Sequence, residues 1–102
     1  MDLKFTNTPK GDLVLKLSGK LDTEGCATIR SALKIISNST DADRVKLDME
    51  EVSFLDLSGI KLIVAFYKRL NARERAMEII SANGQPLELM DHLHIDHAIP
   101  VL

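Results

Sequence analysis

Short apolar runs of strand length alternate along this chain with longer stretches whose apolar positions recur at helical spacing, and turn-forming clusters separate them. Met1 to Thr8 and Leu13 to Ser18 read as two strands around Pro9-Lys10-Gly11-Asp12, whose Pro and Gly favour a turn, so the chain opens with a hairpin. A first helix is expected from Thr23 to about Ile36, with Ala27, Ile29 or Arg30, Leu33 and Ile36 roughly at helical spacing and Asp22 at its entrance. The polar cluster Ser37-Asn38-Ser39-Thr40-Asp41 ends it, and Arg44 to Asp48 reads as a buried central strand. Val52-Ser53-Phe54-Leu55 then leads into Asp56-Leu57-Ser58-Gly59, after which a second helix runs to about Asn71. Ala76 to Ser81 reads as another strand, Asn83-Gly84-Gln85-Pro86 starts a short helix, and Ala98 to Leu102 is a last short strand. No linker, low-complexity tract or internal repeat interrupts this order.

Strands that alternate with helices behind an opening hairpin call for an α/β fold, a mixed β-sheet with helices packed mainly on one face, because parallel neighbours need crossover helices. In such sheets sites gather at the carboxyl ends of strands, so the turn at Asp22 and the turn at Asp56 to Gly59 are expected to share one edge.

Composition narrows the function classes. A length of 102 residues, 45% of them hydrophobic, fits one small domain over residues 1–102 with one core. A net charge of -2 with both signs scattered offers no basic face, so neither nucleic acid nor an anionic membrane surface is suggested as a partner. The longest apolar run, Leu62 to Tyr67, is far short of the roughly 20 residues a membrane span needs, which argues against membrane insertion. One cysteine, Cys26, forms no internal disulfide, and no charged-then-apolar leader opens the sequence, so a cytoplasmic location is the expectation.

Candidate chemistry concentrates at Ser58. A Ser just ahead of a helix can cap free backbone N–H groups, and those donors together with the helix dipole favour negative charge there. Capping alone explains the residue, and so does a phosphorylation site at which the phosphate is held by the helix end. Asp56 reads equally as a turn residue bonded to its own backbone, and Asp22 as an N-cap. In the second helix, Ile60, Leu62, Ile63, Val64, Phe66, Tyr67 and Leu70 span an arc of about 200°, more than one sheet face requires. Either neighbouring helices bury the surplus, or Leu62 and Phe66 form a docking surface beside Ser58. Lys61, Lys68 and Arg69 on the opposite arc read as a solvated face. The tail histidines His92, His94 and His97 lie among Asp91 and Asp96, but their spacing is not that of a metal site. No nucleophile elbow, phosphate-binding Gly-rich loop or paired-histidine zinc motif is present, so neither an enzyme nor a cofactor is called for.

Leu17-Ser18-Gly19-Lys20-Leu21-Asp22, with Leu47-Asp48-Met49 and Val52-Ser53-Phe54-Leu55-Asp56-Leu57-Ser58-Gly59, resembles the STAS domain of bacterial anti-sigma factor antagonists over nearly the whole chain. The resemblance implies a regulator that binds an anti-sigma factor serine kinase while unphosphorylated and so frees a sigma factor. Phosphorylation of the Ser in the Asp-x-Ser-Gly turn, here Ser58, switches binding off, and Asp22, Asp56, Leu57, Gly59, Leu62 and Phe66 are the expected partner contacts. The alternative is a STAS-type adaptor of a transport ATPase, or a scaffold subunit in stress signalling, without obligatory phosphorylation. This sequence departs from the family pattern at Leu57, where a hydroxyl residue is common, and at Lys20, a position often acidic. It ends at Leu102 where relatives continue into a further helix, which leaves apolar surface for a partner or for a second copy in a homodimer, and it carries three tail histidines that the pattern does not require. A phosphoserine carries about -1.5 to -2 charges, and a carboxylate roughly 6 Å away repels it by about 1 kcal/mol in water-like surroundings and by several in a half-buried contact. That range corresponds to a loss of about ten- to a thousandfold in affinity.

Overall fold

A computed structural model describes residues 1–102. Strands β1 (Asp2–Asn7) and β2 (Leu13–Leu21) are followed by helix α1 (Thr23–Ser39), strand β3 (Arg44–Leu55), helix α2 (Leu57–Ala72), strand β4 (Ala76–Ile80) and helix α3 (Gly84–His92), with a 3-10 turn at Ile95–His97. The sheet order is β1-β2-β3-β4. β1 runs antiparallel to β2, closing the expected hairpin through a turn in which Gly11 takes a positive φ of 88°. β2, β3 and β4 are parallel, with α1 and α2 as the crossovers, so the α/β class and the mixed sheet are as the sequence indicates.

Alternation sets the faces. Leu13, Leu15 and Leu17 of β2 are buried, as are Val45, Leu47 and Met49 of β3 and Met77 and Ile79 of β4, and α1 and α2 supply Ile29, Leu33, Ile63, Phe66 and Leu70 to the same core. The side chains between them form a charged surface, where Lys46 lies 3.6 Å from Asp12 and 4.0 Å from Glu78, and Lys16 lies 3.8 Å from Glu51.

β2 runs on past Ser18 to Leu21, and three further elements differ from their sequence-based bounds by more than a residue or two. β3 runs on from Asp48 to Leu55 because two bulges break its period. Lys16 pairs with Asp48 but Ser18 with Glu51, and Gly19 pairs with Val52 but Lys20 with Phe54, so β3 absorbs an extra residue at each step. Its buried positions therefore pass from spacing two to spacing three, through Met49, Val52 and Leu55. α1 outlasts Ile36 by three residues: Ser37 is buried on its core-facing side, and the hydroxyls of Ser37 and Ser39 donate back to the carbonyls of Lys34 and Ile35, at 2.9 and 2.6 Å, so that they are satisfied within the last turns of the helix. The face of α1 that meets the core is Cys26, Ile29, Leu33 and Ser37, while Ala27 and Arg30 are exposed. The tail strand reduces to one parallel bridge, Val101 with Ile79, in which Ile79 N–H donates to Pro100 O and Leu102 N–H to Ile79 O. No helix is long and apolar enough to cross a membrane.

Candidate functional site

Two strand ends meet in register, Leu21 of β2 beside Leu55 of β3, and each passes at once into a helix. The local sequences correspond: Leu21-Asp22-Thr23-Glu24-Gly25 and Leu55-Asp56-Leu57-Ser58-Gly59. In each, the Asp is the N-cap in extended conformation and its Oδ1 accepts from the Gly N–H three residues on, at 2.9 Å for Gly25 and 3.2 Å for Gly59. The Gly is required by close approach. A Cβ on Gly59 would lie 2.5 Å from both the Leu21 carbonyl oxygen and Leu55 Cδ1, and one on Gly25 would collide with the Lys20 carbonyl oxygen. Both helices thus start hard against the end of β2. Gln85, at the start of α3, fixes the second corner from behind: its Oε1 accepts from Leu55 N–H at 2.8 Å and its Nε2 donates to Leu55 O at 2.7 Å. The absence of an internal repeat is therefore corrected at short range, because the Leu-Asp-x-x-Gly corner occurs twice.

The corners touch through hydroxyls. Ser58 Oγ and Thr23 Oγ1 are 3.1 Å apart and share a hydrogen bond, which brings the turn at Asp22 and the turn at Asp56 to one sheet edge. The capping explanation of Ser58 is corrected here: Asp56 is the cap, Ser58 sits inside the first turn of α2, and its hydroxyl bonds to Thr23. Ser58 is half-buried, and Leu57 before it is 60% exposed.

The remaining expected contacts divide. Asp22 and Asp56 are partly exposed at the rim. Gly59, Leu62 and Phe66 are buried, so the expectation that they present a docking surface is corrected. The wide apolar arc of α2 is covered because the helix meets the sheet on one side and α1 on the other, which leaves Phe66 with no exposed surface at all. Lys61 and Lys68 are exposed, as the solvated-face reading expects, whereas Arg69 is half-buried and its Nη1 is buried, which corrects that reading for Arg69. With Arg30 of α1, Ser58, Leu62 and Ala65, Lys61 and Arg69 line a groove of about 250 Å³ between the two helices.

Beneath the corners, the Cys26 thiol is buried, and burial pushes its pKa above the ordinary value of 9.0. The nearby Arg30 charge lowers it, and the Asp56 and Asp22 charges raise it by smaller amounts. In the tail, the His94 and His97 rings lie with centroids 5.1 Å apart and planes tilted by 31°, and no three His, Cys, Asp or Glu side chains converge to hold a metal ion. The side chain that Ser58 meets is a threonine hydroxyl, without a histidine base.

Sequence reasoning missed Thr23, Arg30, Gln85 and the groove. The first was legible, since the repeated Leu-Asp-x-x-Gly marks two like corners whose intervening residues should be neighbours. The groove was not, because it depends on how α1 and α2 cross.

The chain is 24% identical over 92 residues to an anti-sigma F factor antagonist from Paenibacillus polymyxa, covering 90% of this chain and 79% of that protein. Its fold is similar to that of an anti-sigma factor antagonist from Mycobacterium paratuberculosis, with a TM-score of 0.87 at 18% identity, covering 98% of this chain and 83% of the other. It is also similar to the Bacillus cell fate determinant SpoIIAA in its phosphorylated form, with a TM-score of 0.73 at 16% identity, covering 99% and 91% of the two chains. With the STAS domain model matching residues 5–102 and an Asp-capped corner at the place where the sequence motif falls, this chain belongs to the STAS domain family, in which these relatives are anti-sigma factor antagonists.

Proposed function

We propose that this protein is a phosphorylation-controlled anti-sigma factor antagonist: unphosphorylated, it binds an anti-sigma factor serine kinase and frees a sigma factor, and phosphorylation on Ser58 releases it. The observation that carries this reading is the place of Ser58, a half-buried hydroxyl in the first turn of α2 with a strongly exposed Leu57 beside it. An apolar side chain next to a modifiable hydroxyl suits a contact patch that must be made dry to bind, and a dianion placed in such a contact opposes that drying. Similarity to an antagonist from Paenibacillus polymyxa, and to a SpoIIAA fold that exists in a phosphorylated form, supports the same reading.

The contact patch in this proposal is Leu57 with Ser58, flanked by Asp22 and Asp56 at the rim. Asp56 stands two residues before Ser58, so a phosphoserine adds its charge next to an existing carboxylate. The helix N-terminus offsets that repulsion within the free domain by about 0.3 to 1 kcal/mol, which leaves folding largely untouched while binding is lost.

Capture of partners from the source cells tests the reading. Recovery of an anti-sigma factor serine kinase with wild-type protein, loss of it with Ser58→Asp, and a +80 Da form on Ser58 are expected. Recovery of a transport ATPase with an unmodified Ser58 would instead establish the adaptor function.

A further inference from the structure

We infer that the groove between α1 and α2 is a phosphoryl-binding site in cis, in which Arg30 and Lys61 hold the phosphate carried by Ser58. This inference rests on Ser58 being the modified residue. Ser58, Arg30 and Lys61 line one groove together with Arg69, and no acidic side chain joins them there. None of the three cations takes part in an ion pair, although the chain as a whole has a net charge of -2. Arg69 Nη1 is buried without a hydrogen-bond partner. Such a concentration of unpaired positive charge in an acidic protein is otherwise unfavourable, and an anion in the groove relieves it.

Position assigns the roles. Lys61 is one turn after Ser58 on the same face of α2, within the neighbour spacing of a helix, and the exposed Arg30 side chain approaches from α1. Arg69 is eleven residues after Ser58, about 16 Å along the axis, so it raises the potential of the groove without reaching the phosphate. Opposing them, Asp56 is the nearest acidic residue in sequence, and its Oδ1 is already engaged with Gly59 N–H. The phosphate is made by transfer to Ser58 Oγ of the γ-phosphoryl group of a nucleoside triphosphate held by the kinase, with the hydroxyl proton passing to a base of that kinase and the nucleoside diphosphate leaving. In the groove the dianion is shielded from Asp56 and held against α2, where its bulk covers the surface around Ser58.

Two cations beside a phosphate favour its dianion and lower its second pKa below the usual value of about 6. Each is expected to contribute about half a unit at low salt. The test is a ³¹P NMR pH titration of full-length protein with phosphoserine installed at position 58 by genetic-code expansion, compared with the same protein carrying Arg30→Gln and Lys61→Gln. Both side chains are exposed, and thermal melts of the unphosphorylated forms check that the fold survives. The expected result is a second pKa about one unit higher in the double variant, a difference that shrinks in 0.5 M salt. Equal pKa values in the two proteins would overturn the inference. Because the phosphate is installed directly, that failure stands apart from failure of the regulatory reading, which would show as an unmodified Ser58 in the cell.

Discussion

The corner at Leu21–Gly25 and the corner at Leu55–Gly59 share a backbone and differ in the two residues between Asp and Gly. Each has a buried Leu, a capping Asp and a Gly pressed against the end of β2. The first carries Thr23-Glu24, which puts an acidic residue in the opening turn of α1. The second carries Leu57-Ser58, with no acidic residue in its opening turn and a cationic groove alongside. The shared parts form a structural device for starting a helix at a strand end. The residues that differ set an exposed leucine and a hydroxyl at one corner, the proposed contact and phosphorylation site, while the other holds the Glu24 carboxylate at the position that corresponds to Ser58.

The strongest way to break this comparison is through the shared glycines. Gly25→Ala and Gly59→Ala should each destabilise the fold by about 1 to 3 kcal/mol or more, because the new methyl meets backbone carbonyl oxygens of β2 that cannot swing aside. Denaturant melts check this, and a tolerated alanine at either position would mean that the corner is not held closed by contact. Next come the caps. Asp22→Ala and Asp56→Ala should each cost about 1 kcal/mol, or roughly 4 to 8 °C in Tm, and by similar amounts if the corners are equivalent. A large effect at one and none at the other would divide them structurally as well as functionally.

Smaller effects sharpen the link between the corners. Thr23→Ala removes the partner of the Ser58 hydroxyl at an exposed site and should cost at most about 1 kcal/mol by thermal melting, since water replaces the lost bond. The least effect is expected from pH. The Cys26 thiol ionises at higher pH in the folded chain than in the unfolded one, so its contribution to stability is complete below the unfolded pKa and is lost as pH rises through the folded value. Cys26→Ala should flatten the decline of stability above about pH 9 without changing its slope below pH 8, as measured by urea unfolding across that range.

Much of the fold was legible because its signals are local. Pro9 and Gly11 mark the hairpin turn, and the apolar runs on either side of Asp22 and Asp56 fix the order of elements. What escaped were features that arise from pairing. The bulges in β3 appear in sequence only as broken alternation after Met49, and the serines at the end of α1 look like a stop signal until their hydroxyls are seen to bond backward. At the site, Ser58, Asp22 and Asp56 follow from the motif, whereas the burial of Leu62 and Phe66 depends on α1 covering a flank of α2 that the sequence leaves open. Lys61 and Arg69 look like an ordinary wet face for the same reason, since only the crossing of the two helices sets Arg30 opposite them.

The central claim is that charge gained at the second corner decides between association and release. Its most direct test is the affinity of the anti-sigma factor serine kinase for this protein with serine and with phosphoserine at position 58, measured by isothermal titration under matched salt. The account predicts a loss of about ten- to a thousandfold on phosphorylation, with the thermal stability of the free protein nearly unchanged. Equal affinity of the two forms would contradict it.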